Sequence, residues 1–261
     1  MAGKASILLV SLVAVLIVFS AGCIVDQPAP SELPPPVSPE VTATVGSLAT
    51  VNPPSYDWGI PKKSAHYESN TPAHGAVLAG VPVNIVIDFN FDLGPGSAIS
   101  VISGGREYGT GTTTIDPNRL AMRRPIERAA PDGLYEVIYI ACWPDGSCHD
   151  GNFRFAVDRS LGMQFTDLTG NPQVTISMNN ISFEPASVRI SRGTNVTWIN
   201  LEAVEHFVNT DSHPSHTYYL LQNSRGLLKN DTFSVIFDTP GIYPYHCSAH
   251  AAVMTGMILV E

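Results

Sequence analysis

The sequence predicts an all-β protein, and three observations carry that reading. Apolar runs are short, rich in Val, Ile, Tyr and Phe, and end on turn residues, which is how strands read. Charged residues make up only 14% of the chain, and glycine and proline number 21 each, so long helices are disfavoured. Pro-Asp-Gly occurs at 131–133 and again at 144–146, each time between strand-like runs. A length of 261 residues fits one or two domains.

The chain opens on MAGKASILLVSLVAVLIVFSAGC, residues 1–23, with one early lysine and an apolar run from Ile7 to Phe19. That is a secretory signal architecture rather than a globular strand. Its Ser-Ala-Gly-Cys ending resembles a prokaryotic lipoprotein signal, which implies lipidation of Cys23. An uncleaved membrane anchor is the alternative, although the run is short for a permanent span. Either reading places the rest outside the cytoplasm, tethered to the membrane by its N-terminus. Residues 24–60 read as a linker: six of the twelve residues from Pro28 to Pro39 are proline, which holds a chain extended.

Residues 61–159 carry strand-like runs at 83–91, 98–103, 133–143 and 152–157. By pattern alone this is a small antiparallel sandwich. AHYESNTPAHGAVL holds His66, Pro72 and Gly75; GLYEVIYIACWPDGSCHDGNFRFAV holds a Gly-x-Tyr-x-Val start, an Asp/His turn and a closing Phe-x-Val. In these phrases the segment resembles the CopC family of periplasmic copper-resistance proteins, which implies an Ig-like sandwich. The resemblance also brings forward His66, Asp145 and His149 as a second copper site. Against that site, His66 is internal, with forty-two residues between it and Cys23, and three residues separate Asp145 from His149. A purely structural domain is the alternative. Cys142 and Cys148 flank a tight turn, where two strand ends come within disulfide range in an oxidising compartment. A thiol metal site with His149, or free thiols, are the other readings.

Residues 160–172, SLGMQFTDLTGNP, read as a junction, and 173–261 as the second sandwich. Its last stretch, GIYPYHCSAHAAVMTGMILVE, puts Cys247, His250 and Met254 on one loop between two strand-like runs, and His206 lies upstream in EHFV. Thiolate, imidazole and thioether together suit copper. The F-x-P-x-x-V-x-I run through Phe183, Pro185, Val188 and Ile190 precedes them, with Trp198, Asn200 and the Tyr-x-Tyr-x-Cys approach at 243–247. In these features the segment resembles the blue copper proteins, or cupredoxins. The resemblance implies a Greek-key sandwich and a type 1 copper held by His206, Cys247, His250 and a weak axial Met254. Three residues separate His250 from Met254, a spacing between those of the plastocyanin-like and amicyanin-like members. Phe207 stands where many members carry an asparagine that ties the two ligand loops together.

Other candidates have plainer readings. His246 points to the opposite side of its strand from Cys247 and reads as a surface or packing histidine. His213 and His216, in NTDSHPSHTYY, read as a solvated loop, with an H-x₂-H surface metal site as the alternative. Met257, in an apolar alternation, reads as core.

The formal charge is −9, and the 14 Lys and Arg are scattered, so nucleic acid is not expected as a partner. No nucleophile, general base or second histidine-rich site is evident, which argues against an enzyme and against a copper reductase. Two functions follow from the resemblances. One is a membrane-tethered extracytoplasmic carrier passing single electrons between redox protein partners. The other is a copper-handling protein, a scavenger or chaperone.

Overall fold

The structure, a computed structural model, describes residues 55–261. The expected signal segment with Cys23, and the expected linker up to residue 54, lie outside the described residues. Among the described residues no helix is long and apolar enough to cross a membrane.

The first sandwich is built from β1 (Tyr67–Thr71), β2 (Val77–Leu78), β3 (Asn84–Phe89), β4 (Ala98–Ser103), β5 (Arg106–Glu107), β6 (Thr114–Ile115), β7 (Ala121–Pro125), β8 (Gly133–Cys142) and β9 (Cys148–Val157). They form one sheet in the order β1-β3-β7-β6 and another in the order β2-β9-β8-β4-β5. Alternation sets the inner faces: Tyr135, Val137 and Tyr139 of β8 and Phe153 and Phe155 of β9 are buried together. The strand expected from 152 begins earlier, because the β8–β9 ladder runs down to the Cys142↔Cys148 pair. A disulfide joins those two residues.

Arg159–Gln164 forms a short 3₁₀ turn. The second sandwich then comprises β10 (Thr166–Asp167), β11 (Gln173–Asn179), β12 (Ser182–Glu184), β13 (Ser187–Ile190), β14 (Thr194–Asn200), β15 (Asn209–Thr210), β16 (Thr232–Phe237), β17 (Gly241–His246) and β18 (Thr255–Val260). Its sheets run β12-β11-β14-β16 and β10-β13-β18-β17-β15. The segment expected as a junction thus contributes β10, an edge strand paired in parallel with β13. Trp198, Phe183, Phe237 and Tyr245 fill the core between the sheets. Gly256 is demanded by packing: a Cβ there would lie 2.3 Å from the ring of Tyr245, its cross-strand partner.

The two sandwiches share apolar surface. β3 is buried on both faces: Ile85, Ile87 and Phe89 enter the first core, while Val86 belongs to the cluster of the second. Ile242 and Leu259 of the second sandwich pack reciprocally into the first cluster. Polar groups close the seam. The Val83 N–H donates to Tyr218 Oη at 2.8 Å, and that hydroxyl donates to Ile242 O at 2.8 Å. Buried Asp88 accepts hydrogen bonds from Ser69 Oγ (2.7 Å), Ser212 Oγ (3.0 Å) and Thr217 Oγ1 (2.6 Å).

Candidate metal centre

Two loops at one end of the second sandwich bring His206, Cys247 and His250 together. The first loop follows β14. Asn200, fully buried, donates to Val204 O at 2.7 Å and Leu227 O at 2.8 Å, and its Oδ1 accepts from the Glu202 N–H at 2.8 Å. This folds residues 200–206 back on themselves and leaves His206 exchanging backbone bonds with Leu227. The second loop follows β17. The Cys247 N–H donates to Met254 O, and the Met254 N–H donates to His250 O, both at 2.9 Å, so the loop closes on itself.

His206 Nδ1 lies 3.6 Å from Cys247 Sγ and His250 Nδ1 lies 3.5 Å from it. A first-row metal with bonds of about 2.0–2.3 Å to nitrogen and sulfur sets such edges at about 3.5–3.8 Å. His206, Cys247 and Met254 are fully buried and His250 is half-exposed. The Phe207 N–H points at Cys247 Sγ from 3.4 Å, a donor that favours the thiolate. The soft, buried donor set therefore fits copper, and it is preformed.

Two supporting contacts were not anticipated from the sequence. His206 Nε2–H donates to Glu202 Oε1 at 2.9 Å, which fixes the tautomer and leaves Nδ1 as the free lone pair. The Ile181 N–H, donating to the same carboxylate at 2.8 Å, holds Glu202 below the usual carboxylate range, and His206 adds to that. The (i, i+4) placement of Glu202 before His206 was the available signal. The loop tie missing at Phe207 is supplied two residues on, where Asn209 Nδ2 donates to Ser248 Oγ at 2.8 Å.

The remaining candidates divide. Met257 packs against the first sandwich's cluster, as a core residue does. His66, Asp145 and His149 are not brought together as a ligand group. His66 is hydrogen-bonded to Asn90 Oδ1 at 3.1 Å and stacks on Phe91, while Asp145 turns back to accept from the Ser147 N–H and Oγ. His246 is a packing histidine, and the loop of His213 and His216 lies against it. It points away from Cys247 and is only 3% exposed, and the two loop histidines fold over it with ligand atoms within 4.8 Å of one another.

Residues 171–261 match the family model of copper-binding proteins of the plastocyanin/azurin family, and residues 67–158 match the CopC domain. Amicyanin-alpha of Methylorubrum extorquens is 37% identical over 94 residues, covering 35% of this chain and 73% of that protein. The chain belongs to the plastocyanin/azurin family of copper-binding proteins. Among further cupredoxin relatives, plastocyanin of Scenedesmus fuscus is 38% identical over 90 residues, covering 30% of this chain and 86% of that protein. Halocyanin of Natronomonas pharaonis is 32% identical over 102 residues, covering 37% and 61%. Copper is the cofactor this membership implies, and the cupredoxin half carries the donor set for it.

Proposed function

We propose that this protein is a membrane-tethered, extracytoplasmic carrier of single electrons, with His206, Cys247, His250 and Met254 as the copper ligands. The observation that carries the reading is the N₂S triad, with His206 and Cys247 buried and edges of 3.5 and 3.6 Å. Copper supplies a one-electron couple when bound. The residues of this chain do the rest. Glu202 and the Phe207 N–H hold His206 and Cys247 in place, so little needs to move when the charge of the centre changes. Burial of Cys247 and Met254 keeps water out. His250 is the half-exposed member and offers an imidazole edge to a docking redox protein. Val253, 73% exposed, and Leu201 and Val204 give the same two loops an apolar surface for such contact.

Absorption and EPR spectra of the copper-loaded protein test the site: a strong thiolate-to-copper band from one copper at this centre is expected. A colourless centre would sink the reading. The tether is tested by Cys23→Ser, which should release the protein from membranes or block its processing. A variant that stays membrane-bound at unchanged mass would refute lipidation.

The CopC match favours a second reading, copper handling. It requires a copper that exchanges with a chelator while the blue band persists, and that is lost in His66→Ala with His149→Ala.

A further inference from the structure

We infer that His213, His216 and His246 form a second metal site, separate from the blue copper ligands, that takes one copper(II) ion. Imidazole is the ligand this ion prefers among the side chains present, and copper(II) binds such sites most tightly of the divalent first-row metals.

The geometry is specific. His216 Nε2 lies 3.2 Å from His246 Nε2. Two nitrogens bound at about 2.0–2.1 Å stand about 2.9 Å apart at a right angle and about 3.3 Å apart at a tetrahedral one, so this edge falls within the range a metal sets. His246 Nδ1–H donates to Asp211 Oδ1 at 3.0 Å. A carboxylate only accepts, so Nε2 is left as a lone pair aimed at the cluster. This carboxylate–histidine arrangement is the one that orients metal-binding imidazoles, and Glu202 and His206 repeat it at the first centre. The ring of His213 lies 5.4 Å from that of His216 and 5.3 Å from that of His246. Because His213 is exposed, a rotation of its side chain completes the set.

The loop that carries two of the three ligands is built rather than loose. Asp88 of β3 accepts from Ser212 and Thr217, which bracket His213 and His216. Arg123 Nη2 donates to Thr217 O at 3.0 Å. The first sandwich thus holds the loop against the second. His216 itself sits in the left-handed region, φ 50°, uncommon for a non-glycine residue though histidine tolerates it better than most.

The test is a copper(II) titration of the full-length protein after its blue site has been filled, followed by EPR. A second equivalent with a non-blue, nitrogen-coupled signal is expected. His213→Ala and His216→Ala should each weaken the second equivalent at least tenfold while leaving the blue band intact, which also shows that the fold is kept. Asp211→Asn should weaken it about 10–100-fold, as loss of an orienting partner does. Saturation at one equivalent would overturn the proposal. So would a double His213→Ala, His216→Ala variant that still binds two, since the second copper would then lie elsewhere.

Discussion

Cys247 is the one free thiol among the described residues and is fully buried. Cys247→Ser replaces the soft anionic donor by a hard neutral one, and the blue band should vanish, as an absorption spectrum of the copper-loaded variant will show. Met254→Leu should keep the band and raise the potential, because losing a weak axial donor disfavours Cu(II) more than Cu(I). Met257→Leu should change neither, since it packs into the first cluster, and its near-isosteric swap costs about 1 kcal/mol or less. A potential shift confined to Met257→Leu would mean the axial ligand is misassigned. Glu202→Gln removes the carboxylate that fixes His206. Copper affinity should fall about 10–100-fold by chelator competition; an unchanged affinity would show that the tautomer is held by something else. At this scale the sequence spoke clearly where ligands are close neighbours, as in Cys-x₂-His. It was silent on His246 with His213 and His216, because strand alternation told only that His246 leaves the first centre, not what folds over it.

Elements were legible wherever pattern and local turn chemistry agreed. The runs at 98–103 and 133–143 became β4 and β8. β3 is the instructive case. Its run V-N-I-V-I-D-F-N-F alternates apolar with polar residues except at Val86, so by itself it reads as a strand with one buried face. Its second cover comes from a different sandwich, through Asp88 and Thr217, which stand 129 residues apart. No local signal reports such a pairing. Tyr218 is the polar rivet of that seam. Burial pushes its phenol pKa far up, so the hydroxyl remains both acceptor from Val83 N–H and donor to Ile242 O across the neutral range. Tyr218→Phe removes the hydroxyl that pairs with both backbone groups in the interior. A loss of about 1–3 kcal/mol in denaturant unfolding is expected for a buried group so stranded, with the blue band unchanged. A variant as stable as the parent would mean that water or local rearrangement satisfies those groups.

The molecule as a whole was read from sequence as two sandwiches in series, and the structure adds that each completes the other's core. Val83, Val86 and Ala121 join the second cluster, and Ile242 and Leu259 join the first. Gly241 marks how close the approach is: a Cβ there would stand 2.8 Å from Val81 O. Side chains that belong to two cores couple the stabilities of both, so residues 55–261 should melt in one calorimetric transition. Copper binds only the folded form of its site, and at a free concentration a thousand times its dissociation constant this adds about 4 kcal/mol. If the sandwiches unfold together, that increment raises a single transition, and Tyr218→Phe lowers the same one. If they are independent, two transitions appear, copper moves only that of the cupredoxin half, and the loop bearing His213 and His216 owes nothing to the first sandwich. Calorimetry of the apo and copper-loaded protein, read beside the Asp88→Asn variant, decides between them. Under the coupled reading that variant lowers the single transition and, by loosening Ser212 and Thr217, weakens the second copper without touching the blue band.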